Sequence, residues 1–154
     1  MNAIQVATYL MKLYHEQFQE MITEMKLHKL LYFSQRESFI QLDRPIFEDK
    51  FQAWRYGPVI VAVRDLYKAG MLNQMPDADE VRPYENVFKV IMSEYAPKDT
   101  WSLSDMTHAE SSWKNARIGL NPSDLGSNEM DTEDIRKDAF RAQLRTFESS
   151  LFSA

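Results

Sequence analysis

Residues 26–35 read KLHKLLYFSQ, and the fold turns on how this run is placed. Leu27, Leu30, Leu31, Tyr32 and Phe33 fall on nearly every face of a helix, and the run holds no glycine or proline. A helix that is apolar almost all round belongs inside a protein, surrounded by other elements. Thr23 supplies an N-cap, so a central helix is expected from residue 24 to about residue 40. Lys29 sits among the leucines. Its aliphatic stem can follow the core while its ammonium reaches outward.

Elements on either side can then cover this helix. Towards the N-terminus, Ile4, Ala7, Met11, Tyr14 and Phe18 recur at three-and-four spacing and predict an amphipathic helix over about 2–19. In the other direction QLDRP stops the central helix, because Pro45 lacks an amide proton and restricts Arg44 before it. From Phe47 to Tyr56 the pattern shifts towards alternation, with Phe51, Ala53 and Arg55 on one side and Gln52, Trp54 and Tyr56 on the other. This predicts a short extended segment. Gly57 is expected to end it, and Pro58 to open a helix running to Gly70. Residues 71–82 read as an acidic loop.

Pro83 opens a further helix through YENVFKVIMSEY, and Pro97 closes it. Ser102 with Asp105 three residues on suggests the start of another, and Ser111 or Ser112 a cap for a short turn with Trp113 and Ala116. GLNPSDLGSNEMD reads as loop. Asp131 or Thr132 starts the last helix, with Phe140, Leu144, Phe147 and Leu151 at helical spacing. The expectation is a mostly α protein: a single compact helical domain over 1–154, its core at about 22–140, with about six helices and one or two short extended segments.

Composition narrows function. The 154 residues contain no cysteine, which removes disulfides, zinc–thiolate sites and a cysteine nucleophile. No apolar run is long enough for a membrane span, and polar residues interrupt the N-terminal apolar pattern, unlike a secretory signal. The net charge of −5 argues against a nucleic-acid binder, which needs clustered Lys and Arg. A DNA-binding repressor is disfavoured further by the lack of a basic recognition helix.

The histidines His15, His28 and His108 lack metal-ligand spacing. The four glycines form no phosphate-cradling loop, and no serine stands in a nucleophile elbow. Asp105, His108 and Glu110 could make a base with its orienter, but Thr107 and His108 serve more simply as the polar end of a helix. Asp77, Asp79 and Glu80 read as solvated surface, and Lys26, Lys29, Arg36 and Arg44 as a solvated helix edge. Trp54, Tyr56, Trp101 and Trp113 are candidates for a partner surface, with core packing as the competing reading.

Several stretches together resemble one family. Lys29-Leu30-Leu31-Tyr32, Pro45-Ile46-Phe47, Ala53 to Val59 with Trp54, Gly57 and Pro58, Leu103 to Thr107-His108, and Trp113-Lys114 stand in the order and spacing of the Panacea domain, the SocA-like antitoxin domain found in phage-associated proteins. Ser112 stands where that family commonly has proline, and the segment after Val59 lacks another. The resemblance implies a helical module that neutralises a cognate toxin protein by direct binding in a bacterial or phage toxin–antitoxin system. The alternative it carries is an adaptor that delivers the toxin to an ATP-dependent protease. It implies no catalysis and no cofactor, and the composition and residue spacing add the expectation of a cytoplasmic protein with no metal site and no membrane or nucleic-acid partner. Arg55, Tyr56, Trp113 and Lys114, with Tyr9 and Lys12 of the first helix, are the expected partner contacts.

Overall fold

A computed structural model describes residues 1–153. Its centre is the helix α2, Glu24–Leu42, capped by the Thr23 side chain, which accepts from the Lys26 amide. Every residue from Leu27 to Phe39 is buried. The reading of KLHKLLYFSQ as a helix without a solvent face therefore holds. It holds more strictly than expected, because Lys29 and Arg36 are inside as well. Neither lies on a solvated edge: each has found an oxygen partner within the protein, the condition for burying a cation.

The helix α1, Ala3–Phe18, starts at a reciprocal cap in which Asn2 accepts from the Gln5 amide and the Gln5 side chain accepts from the Asn2 amide. It lays Ala3, Val6, Ala7, Leu10 and Tyr14 against the core. Beyond α2, the strands β1, Gln52–Trp54, and β2, Gly57–Val59, pair antiparallel, with Ala53 opposite Pro58. Pro58 thus belongs to a returning strand and does not open a helix. Gly57, at φ +128°, lets the chain turn back before proline fixes it as extended. The next helix, α3, begins only at Val61 and runs to Lys68.

The acidic stretch expected as loop contains a short helix, α4, Ala78–Val81, because Asp77 and Glu80 form a capping box. A 3₁₀ turn at Arg82–Tyr84 leads into α5, Glu85–Val90, which widens into a π-helical turn over Ile91–Tyr95. The helix α6, Thr100–His108, is capped by Asp99 and not by Ser102; Ser102 is the donor to that cap. The helix α7, Ser111–Ala116, has no local side-chain cap. Asp138 of α8, Thr132–Phe152, accepts from the Ser111 and Ser112 amides at 3.1 and 2.9 Å instead. Ser112 spends its amide there, a bond that proline cannot make.

Buried side chains of α1 to α6 and of α8 join one apolar cluster, to which α8 contributes Ile135 and Ala139, and Trp113 and Ala116 of α7 pack against it half-buried. The face of α8 marked by Phe140, Leu144, Phe147 and Leu151 points outward and is exposed. Among the described residues no helix is long and apolar enough to cross a membrane. The protein is mostly helical and compact.

His28 makes the core acid-sensitive. It is buried, its Nε2 lies 3.2 Å from Glu24 Oε2, and its Nδ1 has no partner among the described residues. Burial pulls its pKa down to about 4 from 6.5, against the pull of Glu24. A base whose folded pKa is lowered binds more protons unfolded, so stability falls as pH drops from 6.5 through 4. Wild type should lose about 3 kcal/mol more than His28→Leu across that window. Urea unfolding at both ends of the window tests this, and equal losses in the two proteins would refute it.

Candidate functional site

The β1–β2 hairpin carries Trp54, Arg55, Tyr56, Gly57 and Pro58 of the residues singled out by the sequence, and the surrounding helices hold it from beneath. Lys29 Nζ, from α2, donates to the Tyr56 carbonyl oxygen. Ser104 Oγ, from α6, donates to the same oxygen at 3.2 Å. Thr107 Oγ1 stands beside Gly57, 3.0 Å from where a Cβ would project. Burial lowers the Lys29 pKa to about 8, so this ammonium is held by fixed dipoles in place of water.

From the other flank, Trp113 Nε1 donates to the Trp54 carbonyl oxygen at 2.8 Å. The Trp113 ring stacks on His108, with centroids 4.3 Å apart and planes 20° from parallel. Burial lowers the His108 pKa, and the Lys29 cation lowers it further. Arg117, which the sequence reading passed over, donates to the carbonyl oxygens of Ala53, Asn121, Asp124 and Leu125. It ties the hairpin to the loop after α7. That loop also runs alongside β1, with the Ala53 amide donating to Asn128 O at 2.8 Å and the Arg55 amide to Leu125 O at 2.7 Å. No local pattern around Arg117 marks it, because all its acceptors are backbone groups folded back onto it.

What this bracing presents to solvent is the turn, Arg55 and Tyr56. The Arg55 guanidinium lies 5.0 Å over the Tyr56 ring, and Tyr56 meets Trp101 of α6 edge-on at 6.4 Å. Tyr56 is 47% exposed and Trp101 64%, so neither is there to fill the core. Lys114 is exposed nearby on α7, one residue from the half-buried Trp113. A rigid turn with an adjacent aromatic pair can offer contact area at little cost in entropy.

Tyr9 and Lys12 are not part of this surface. Tyr9 packs edge-on against Phe88 at 4.8 Å and, with Leu13 and Met92, lines a groove between α1 and the α5 region. Lys12 Nζ sits 5.8 Å from the Tyr9 ring. The inner face of α1 is core, so only this outer face is available for a contact.

Asp105, His108 and Glu110 are not assembled into a catalytic group either. Asp105 is exposed, and Glu110 turns into a separate buried network. There Arg36 Nη1 donates to Glu110 Oε1 at 2.6 Å and Arg36 Nη2 to the Tyr95 hydroxyl at 2.7 Å. The Tyr32 hydroxyl lies 3.1 Å from Glu110 Oε2, 3.2 Å from Ser112 Oγ and 3.3 Å from Asp138 Oδ2. Burial, with the two carboxylates, drives the Tyr32 pKa well up. Burial also raises that of Glu110, against the pull of Arg36. This network joins α2, the π-helical turn, α7 and α8, and its role is architectural.

Residues 27–114 match the family described as "Antitoxin SocA-like, Panacea domain". The match covers more than half of the chain and includes all but the first turn of α2, the hairpin, α6 and Trp113. The chain belongs to this family. Comparison with curated proteins and with solved structures finds no match.

Proposed function

We propose, from membership of the SocA-like antitoxin family, that this protein neutralises a cognate toxin protein by binding it directly, as a cytoplasmic protein without catalytic activity or cofactor. The observation that carries the choice of surface is the exposed Tyr56–Trp101 pair on a hairpin braced from below by Lys29, Ser104 and Trp113. Arg55 and Lys114 flank it with positive charge, while the molecule as a whole is acidic. Charge of either sign steers encounter, and central aromatic anchors slow dissociation.

The test is co-expression with the product of the adjacent reading frame, followed by binding measurements on the purified pair. Wild type should restore growth and co-purify with that product. Tyr56→Ala and Trp101→Ala should each weaken binding about 30-fold, the scale of an interface hot spot, while leaving the melting temperature within a degree or two, since both rings are largely exposed. Unchanged affinity in both variants would remove the hairpin tip from the interface. Rescue without a stable complex, lost in a host lacking ATP-dependent proteases, would replace direct inhibition by the adaptor reading.

A further inference from the structure

The helix α8 is apolar on two sides. One side, Ile135, Ala139 and Ala142, is buried against the body. At 3.6 residues per turn, Phe140, Leu144, Phe147 and Leu151 stand roughly opposite. They are 61%, 44%, 60% and 63% exposed, so nothing among the described residues covers them. Their spacing of four, three and four residues is the a/d alternation of a coiled-coil seam, which asks for a second helix of the same kind.

We propose that this stripe is a self-association surface, on which α8 of a second copy packs antiparallel. In that alignment Leu144 meets Phe147 of the other copy, and Phe140 meets Leu151. The same flank of each helix then faces its counterpart. On that flank stand Arg141 and Glu148, seven residues apart. Arg141 of one copy falls beside Glu148 of the other, and the two-fold axis repeats the pair. Glu148 has no ion-pair partner among the described residues, and Arg141 uses a single nitrogen on Asp138, at 2.9 Å. A parallel pairing would instead set Arg141 beside Arg136 of the second copy, like against like. Charge therefore selects the antiparallel arrangement.

The receiving end is also shaped for it. Phe140 borders a groove of about 670 Å³ between α8 and the end of α2, where Phe39, Ile40 and Leu42 stand beside the Asp43–Arg136 ion pair and other polar side chains. Leu151 of the second copy would sit at its mouth. Four large apolar side chains from each copy bury on the order of 1,000 Å² in all, at the small end of specific interfaces. The pair should therefore form and dissociate with concentration. No residue of the hairpin tip is used.

Sedimentation or light scattering of the full chain across a concentration series reads this directly. The mass should rise from 18.1 kDa towards twice that value. Leu144→Lys should weaken association at least tenfold with an unchanged circular dichroism spectrum. Glu148→Arg alone should weaken it several-fold, and adding Arg141→Glu should restore it. The chain has no cysteine, so single cysteines report register without background. Phe140→Cys mixed with Leu151→Cys should cross-link under mild oxidation. Phe140→Cys alone should not, because antiparallel packing sets its two copies about 16 Å apart along the axis. A monomer at every concentration would overturn the proposal, as would a dimer indifferent to Leu144→Lys or efficient self-cross-linking of Phe140→Cys.

Discussion

Replacing Arg36 by methionine should cost on the order of 3–5 kcal/mol, a large fraction of the stability of a domain this size. Arg36 is 5% exposed and bridges Glu110 of the α6–α7 junction and Tyr95 of the π-helical turn. Methionine can fill much of the volume but cannot answer the Glu110 carboxylate. That carboxylate would remain buried near Asp138 with only the Tyr32 hydroxyl to hold it. The wild-type arrangement already raises the Glu110 pKa by burial, and loss of the guanidinium should raise it further.

The sign follows from the proton balance. A carboxyl group with a raised folded pKa binds more protons when folded, so stability falls as pH rises from its ordinary value through the folded one. Arg36→Met should therefore be less damaging at pH 5 than at pH 7. The double variant Arg36→Met/Glu110→Gln should recover part of the loss, because no uncompensated charge stays buried. Urea midpoints of the three proteins at the two pH values suffice. A single variant within about 1 kcal/mol of wild type, or a double variant worse than the single, would show that the pair is not what joins these elements.

Arg36 also shows where the sequence stopped being readable. The apolar periodicity of α1 and α2 and the Thr23 cap are local signals, and they placed both helices to within a residue or two. The family motif pointed to residues 53–59 and to Thr107, His108 and Trp113, and the structure gathers these together, with residues 57–59 as a returning strand in place of the helix start expected there. What periodicity could not show is the pairing of polar residues far apart in the chain. Arg36 and Glu110 are 74 residues apart, and Arg117 reaches back 64 residues to Ala53. Each looks like a surface charge until the chain folds around it. Capping failed for the same reason at α7, whose cap arrives from Asp138 on another helix. On α8 the spacing predicted the helix but not which side meets the body: Ile135, Ala139 and Ala142 face inward, and Phe140, Leu144, Phe147 and Leu151 face out.

Gly57→Val should be comparably damaging, on the order of 4 kcal/mol, for reasons that a control glycine separates. Gly57 has φ +128°, a conformation that L residues rarely adopt and that alone costs about 1–3 kcal/mol. Its missing side chain is also the space taken by its neighbours. A Cβ there would meet the Lys29 ammonium and lie 3.0 Å from Thr107 Oγ1. Both are buried and cannot simply swing aside. Moving Lys29 breaks its bond to the Tyr56 carbonyl and leaves a cation without its acceptor. Gly70 also has a positive φ, +68°, but nothing lies within 4 Å of where its Cβ would be. Gly70→Ala should therefore cost only about 1 kcal/mol, the conformational part. Thermal or urea unfolding of the two variants measures the difference, which isolates the crowding at Gly57. Equal losses would mean that the hairpin yields readily and that Lys29 and Thr107 do not fix its position. A large loss at Gly57 alone would show that the turn bearing Arg55 and Tyr56 is held in place by the core helix beneath it, as a rigid contact surface requires.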